Sequence, residues 1–248
     1  MKERKVMIPR DACRIFARLF LPDGDGRHPA VILSHGYNGS ADDFEMECRF
    51  YAAQGYIACA YDFCGGSVGT RSTGLATTEM TLFTEKEDLL AVFAYVKALA
   101  EVDTERIFVF GGSQGGMVSA LAAEVLQDQV RALCMYFPAL CIPDNWREMY
   151  PDPETAPEVI DFWGMQLGRA FVRAVHKLDT FAAIGSYAGN VYILHGDQDP
   201  VIPMHYMEEA IAKYPHAKLT VMRGEAHGFT PSGAKLAMRE VLDFMNGQ

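Results

Sequence analysis

Basic residues are scarce in this 248-residue chain: 22 Lys and Arg stand against 32 Asp and Glu, a formal net charge of −10. A surface with that excess repels polyanions, and no basic run offsets it, so no nucleic-acid partner is expected. Anionic membrane surfaces are disfavoured for the same reason. No uninterrupted apolar run reaches the roughly 18 residues of a membrane span, so none is expected. The N-terminal Met1–Arg10 is charged and lacks the apolar centre of a signal peptide. The expected setting is therefore a reducing cytoplasm. The cysteines, Cys13, Cys48, Cys59, Cys64, Cys134 and Cys141, form no C-x-x-C pair. No His/Cys/Asp cluster has metal-ligand spacing, and Gly65-Gly66 lacks a phosphate-loop lysine, so neither a metal nor a cofactor is expected. Internal repeats and low-complexity segments are also absent.

Apolar residues are plentiful, at 50 % of the chain, enough to fill one core. Residues 1–248 read as a single domain. Lys5–Pro9 and Cys13–Leu21 suit an antiparallel edge hairpin turned at Pro9-Arg-Asp11. Pro29–Ser34 is apolar throughout rather than alternating, which marks a strand buried on both faces. A helix over Asp42–Gln54, a strand over Tyr56–Tyr61 and a Gly/Ser/Thr loop over Asp62–Thr78 follow. Glu79–Ala100 carries a helical stripe of Leu82, Leu89, Leu90, Phe93 and Val96. Strand Arg106–Phe110, helix Met117–Gln127, and strand Ala132–Phe137 come next. Strand Val191–Leu194, helix Pro203–Tyr214, strand Lys218–Met222 and helix Ala234–Asn246 complete the chain. Strands alternating with helices imply an α/β fold, a mostly parallel twisted sheet with helices on both faces. Such sheets put ligands at the C-terminal strand ends, where Gly36, Asp62, Ser113, Asp199 and His227 fall. Pro138 to Gly189 breaks the rhythm with five prolines and the aromatics Trp146, Tyr150, Phe162 and Trp163. A connection that long reads as an insertion, expected to fold over the strand ends as a cap.

The chemistry concentrates in Gly111-Gly-Ser-Gln-Gly115, between a β-prone run and a helix-compatible one. This is the G-x-S-x-G pattern in the strand–turn–helix setting it requires. Side chains at Gly111 or Gly115 are expected to collide with the neighbouring strand or helix. A serine hydroxyl needs an adjacent base, usually a histidine oriented by a carboxylate. In elbow-type hydrolases the chain order is serine, acid, histidine. His227, after the last strand, fits as base. His195 precedes the acids, His205 and His216 lie on or after a surface helix, and His176 lies in the insertion; these four read as packing or exposed residues. The acid comes from His195-Gly-Asp-Gln-Asp-Pro-Val201. Asp199 precedes a rigid Pro200-Val201 and is assigned. Its competitor Asp197 reads as a turn residue bonding its own backbone.

Two backbone N–H donors must meet a developing oxyanion. Gln114 opens the helix after the serine and supplies one. Tyr37, in His35-Gly-Tyr-Asn-Gly39, supplies the other. His35 reads as a loop brace and Asp62 as a structural hydrogen-bonder. Glu79, Glu85, Glu87 and Asp88 read as a solvated helix start.

These elements together resemble the α/β-hydrolase superfamily over nearly the whole chain. Within it, the Gly-Ser-Gln-Gly-Gly elbow, the Thr78–Glu85 stretch, the Leu167-Gly-Arg-Ala-Phe171 stretch and the His195-Gly-Asp197 segment are similar to bacterial cinnamoyl (feruloyl) esterases. The resemblance implies acyl transfer from an ester to water through Ser113, Asp199 and His227. It also implies that the insertion holds an aromatic acyl group, with Trp146 and Asp144 as the residues expected to contact it. The expected partner is a small-molecule ester; a homodimer is compatible with the sequence. Two other readings stay open. One is a prolyl-oligopeptidase-like amidase or peptidase, although the large N-terminal propeller common there is not expected in 248 residues. The other is a non-catalytic binding protein on a hydrolase fold.

Overall fold

An antiparallel hairpin, β1 (Lys2–Arg10) and β2 (Cys13–Leu21), opens the fold and turns at Asp11, whose φ is 49°. The computed structural model describes residues 1–248. β3 (His28–Ser34), α1 (Glu45–Ala53), β4 (Ile57–Tyr61), α2 (Leu82–Lys97), β5 (Val102–Gly112), α3 (Gln114–Leu126) and β6 (Ala132–Tyr136) follow. The inserted segment then holds α4 (Ile142–Met149), β7 (Val159–Phe162), β8 (Met165–Gly168), α5 (Arg169–His176) and α6 (Thr180–Ala183). β9 (Asn190–Gly196), α7 (His205–Lys213), β10 (Ala217–Met222) and α8 (Pro231–Asn246) close the chain.

Eight strands form one sheet in the order β1-β2-β4-β3-β5-β6-β9-β10. β2 runs antiparallel to β1 and β4, and every other pairing is parallel. β4 and β6, buried throughout, and β3, buried from Pro29 on, are the near-continuous apolar runs, as sheets covered on both faces require. One face packs on α2, α3 and the insertion in a core of 53 residues, and the other packs on α1 and α8 in a core of 23. Because the strands are parallel, the residues just after β3, β5, β9 and β10 emerge along one edge of the sheet. That edge carries the site.

Several helix starts follow from local chemistry. Thr81 caps α2 by accepting from Thr84 N, so the helix begins after Glu79 rather than at it. Thr230 caps α8, with Pro231 in its first turn, three residues earlier than the sequence pattern marks. The solvated reading of Glu85 and Asp88 fails. Both side chains point inward, at 1 % and 0 % exposure. Asp88 accepts from Arg10 Nε at 2.6 Å and Cys64 N at 2.8 Å, which offsets the cost of burying a carboxylate. In the insertion, β7 and β8 form a two-residue hairpin through Trp163 and Gly164, at φ 46° and 80°. Positive φ at both turn positions matches the right-handed twist of the flanking strands.

Candidate active site

Ser113 sits directly between β5 and α3 with φ 53° and ψ −120°, a strained conformation for a residue with a side chain. The glycines around it leave no alternative. A Cβ on Gly111 would lie 2.2 Å from the Gly115 carbonyl oxygen, and one on Gly115 would lie 2.1 Å from that of Ser34. Backbone contacts this close cannot be relieved by a side-chain rotation. α3 can therefore dock against β3 and β5 only through glycine, and the serine is lifted off the strand end.

The loop after β10 brings His227 to the serine: its Nε2 is 3.1 Å from Ser113 Oγ. Its Nδ1 is 2.9 Å from Asp199 Oδ2. A proton on Nδ1 donated to the carboxylate leaves the Nε2 lone pair facing the serine hydroxyl. Asp199 is held rigidly, since its Oδ1 accepts from Val201 N at 2.8 Å and Ile202 N at 3.0 Å, and its side chain is fully buried. The chain bends through Pro200-Val201-Ile202, which turns both N–H groups back onto the carboxylate. Phe137, itself at φ 35°, packs on the imidazole with ring centroids 4.6 Å apart. Ser113, Asp199 and His227 thus form one hydrogen-bonded chain at the sheet edge.

Asp197 makes no bond to the imidazole. Its Oδ1 accepts from Gly224 N at 2.7 Å and from the Gln198 side chain at 3.4 Å, tying the β9 end to the β10 end rather than bonding its own backbone. None of the other histidines reaches Ser113. His195 is buried behind the acid, with Nε2 3.0 Å from Ile202 O and Nδ1 4.0 Å from Asp199 Oδ2, and burial pushes its pKa down. His176 bonds Tyr150 O, while His205 and His216 are exposed. His35 donates from Nδ1 to Gly36 O at 2.7 Å and accepts at Nε2 from Phe63 N at 3.1 Å, bracing the loop it opens. Asp62 accepts from Ala41 N and Arg71, a structural part.

That loop approaches the serine closely. A Cβ on Gly36 would lie 3.3 Å from Ser113 Cβ. The Tyr37 N–H has no partner within the protein, and Gln114 opens α3, where an N–H has no intrahelical acceptor. Two side-chain bonds around these donors were not foreseen from sequence. Tyr37 Oη donates to Phe162 O at 2.7 Å, fastening the loop to the insertion. Gln114 Nε2 donates to Glu85 Oε2 at 2.8 Å. Burial raises the Glu85 carboxyl to about 8. A helix stripe of leucines conceals this residue, because only the position of Gln114 two elements later reveals that Glu85 faces inward.

A cavity of about 460 Å³ opens onto Ser113, Tyr37 and Gln114, and 11 of its 15 lining residues are hydrophobic. The insertion supplies most of the far wall: Ile142, Trp146, Met149, Phe162, Trp163 and Phe171. Trp146 packs against Phe162 and Phe171 with centroids at 4.9 and 5.1 Å. Trp146 is thus where the sequence reading put it. Asp144 is not. Two residues apart on α4, the two side chains cannot share a face. Asp144 turns away from the cavity and accepts from Arg147 at 3.0 Å and Tyr206 Oη at 2.8 Å. Phe162, Trp163 and Phe171 are wall residues that the sequence reading did not select, although the aromatic density of the insertion signalled the first two.

The family model for acetyl xylan esterase (AXE1) matches residues 10–169, which include Tyr37, Ser113 and Gln114. Among solved structures, the chain is similar to Est1E from Butyrivibrio proteoclasticus, at 25 % identity and a TM-score of 0.85 over 98 % of this chain and 99 % of that one. It is also similar to Est1E with ferulic acid bound, at 27 % identity and a TM-score of 0.87 over 98 % of both chains. The mouse alpha/beta hydrolase domain-containing protein 10 shares the fold, with 17 % identity and a TM-score of 0.76 over 98 % of this chain and 99 % of that one. With its mostly parallel eight-stranded sheet, its glycine-framed Ser113 turn and a family match over more than half its length, the chain belongs to the acetyl xylan esterase family and is an esterase of the α/β-hydrolase fold.

Proposed function

We propose that the protein hydrolyses carboxylic esters of hydroxycinnamate type through an acyl-enzyme on Ser113. The observation that carries this reading is the large aromatic-walled cavity opening onto the serine. An acetyl group would leave most of about 460 Å³ unfilled, whereas a phenolic ring with its propenoyl arm has the shape of a cleft lined by Trp146, Phe162 and Phe171. The ferulic acid held by Est1E supports the same reading.

In this scheme His227 Nε2 takes the Ser113 Oγ proton as Oγ bonds the ester carbonyl carbon. The oxyanion accepts from the Tyr37 and Gln114 N–H groups. As the tetrahedral species collapses, the carbon–oxygen bond to the alcohol breaks and His227 returns its proton to the leaving oxygen. Water then enters, gives a proton to His227 and attacks the acyl carbon; collapse frees the acid and restores the Ser113 hydroxyl. Asp199 holds the imidazole tautomer and stabilises the imidazolium. Residues 138–189 act as the cap that selects the acyl group. A reducing compartment suits the six unpaired, buried cysteines.

Matched 4-nitrophenyl esters test the acyl assignment. A kcat/KM at least about tenfold higher for the ferulate than for the acetate is expected, the scale of a well-filled apolar pocket. A preference for acetate would overturn the hydroxycinnamate assignment. Selective turnover of aminoacyl arylamides would overturn ester hydrolysis itself.

A further inference from the structure

Two buried acids stand one turn apart on α2, and their surroundings differ. Asp88 has a counter-ion: Arg10 Nε donates to it at 2.6 Å, and Cys64 N adds a second bond at 2.8 Å. Glu85 is bonded by no cation. Its Oε2 accepts from Gln114 Nε2 at 2.8 Å, and its Oε1 is buried without a hydrogen-bond partner. The loop after β4 closes over that oxygen, since a Cβ on Gly66 would lie 3.2 Å from it. A carboxylate in this place would be an uncompensated charge in the core, whereas the neutral acid leaves only one hydrogen bond unmade. The arrangement fits a protonated Glu85.

The acid's one partner is the residue that follows the serine. Gln114 is 3 % exposed, lines the cavity at Ser113 and opens α3 with an N–H that has no intrahelical acceptor. Its side chain alone separates the Glu85 carboxyl from that N–H, so an anion at Glu85 would stand within about 10 Å of the donor. The charges around Glu85 do not cancel it. Asp88 shares its helix, and Arg10 is engaged by Asp88. On α5, Arg169 and Arg173 are paired with Glu158 and Glu154. Tyr37, after β3, and Tyr61, on β4, are neutral phenols raised first by burial and further by acids that include Glu85. The second oxyanion donor, the Tyr37 N–H, therefore belongs to a residue that also feels this carboxyl.

We propose that Glu85 is a positioning residue for the oxyanion hole, which rests on the serine-esterase reading above. As the neutral acid it holds the Gln114 carboxamide, and with it the start of α3, beside Ser113. As the carboxylate it opposes the oxyanion that the Gln114 and Tyr37 N–H groups receive. Burial raises the Glu85 carboxyl to about 8, so the change from one form to the other falls just above neutrality.

The test reads kcat/KM from about pH 6.5 to about pH 10 on 4-nitrophenyl acetate and cinnamate, neither of which titrates there, with circular dichroism followed at each pH. Wild type is expected to lose about tenfold on both esters with an apparent pKa near 8, the scale of one charge about 10 Å away at an effective dielectric constant of about 20. Glu85→Gln keeps an acceptor for Gln114 Nε2 and cannot ionise. It is expected to stay within about threefold of wild type at about pH 7 and to lose the alkaline fall. Glu85→Leu, with neither acceptor nor charge, is expected to run about tenfold below wild type at about pH 7, also without the fall. Should Glu85→Gln misfold, Glu85→Leu reads the same alkaline limb. A wild-type profile level to about pH 10 overturns the proposal, as does the same fall persisting in either variant. Glu85→Leu matching wild type at about pH 7 overturns it too. A purely structural Glu85 would shift the unfolding midpoint and leave the profile unmoved. Failure of the serine-esterase reading shows separately, as turnover retained in Ser113→Ala; failure of the proposal leaves Ser113→Ala inactive.

Discussion

The sheet edge and the inserted segment meet at Ser113 but are built by different means. At the edge, geometry comes from backbone constraint: glycines that admit no Cβ, a serine forced to positive φ, and Asp199 pinned by two main-chain donors. In the insertion, geometry comes from side chains stacked on one another, with Trp146 against Phe162 and Phe171 and only short elements beneath them. In the proposed reaction the first arrangement would fix where bonds are made and broken, and the second what fits beside them. Changes at the edge should therefore lower the rate for every ester, and changes in the insertion should alter the ratio between esters.

The largest effect expected is on kcat after Ser113→Ala. Loss of the proposed nucleophile should reduce kcat by at least about 10⁴-fold on ferulate and acetate alike, with circular dichroism unchanged. Next comes the carboxylate. Asp199→Asn should cost about 10³- to 10⁴-fold in kcat by presenting the wrong partner to His227 Nδ1. Asp197→Asn, one loop position away, should cost less than about tenfold, since its bond serves Gly224 N. The reverse order would move the acid to Asp197. Trp146→Ala should lower the ferulate-to-acetate ratio of kcat/KM about tenfold or more, by removing an aromatic wall while the edge stays intact. An equal loss on both esters would dissolve the division of labour between the two regions.

The smallest effect concerns the support beneath Gln114. The Glu85 carboxyl is raised from 4.5 to about 8 by burial. Between those values the unfolded chain ionises at this position while the folded chain keeps its proton, so stability falls as pH rises, by at most about 1.4 kcal/mol per pH unit. Below about 4.5 both states hold the proton and the contribution is level. Glu85→Gln keeps an acceptor for Gln114 Nε2 and removes the titration. Its stability relative to wild type should improve by about 1–3 kcal/mol between pH 5 and pH 7 in urea unfolding. A gap constant with pH would contradict the burial account.

The edge was legible in the sequence because each of its parts is local. Gly111-Gly-Ser-Gln-Gly115 announces a turn that only glycine allows, Asp199 precedes a stiff Pro200, and the alternation of strands and helices places both on one side of the sheet. The insertion was legible only as a segment. Its β7–β8 hairpin turns on Trp163-Gly164, and a tryptophan at φ 46° is not a signal that turn chemistry suggests. Asp144 and Trp146 were adjacent in the sequence reading but face opposite ways on α4, since Arg147 and Tyr206 claim the aspartate. Glu85 and Asp88 looked like helix-surface charges. What buries them lies far along the chain, in Gln114, Arg10 and Cys64, and no local pattern carries that information. Tyr37 shows both cases in one residue: its backbone position follows from the loop after β3, while its hydroxyl bond to Phe162 belongs to tertiary packing.

Covalent labelling of Ser113 tests the central claim most directly. Folded protein treated with a fluorophosphonate should gain one adduct, located by peptide mass spectrometry on Ser113, with labelling abolished in Ser113→Ala and strongly slowed in His227→Ala. An unlabelled Ser113 in folded, ester-hydrolysing protein, or an adduct on another residue, would contradict it.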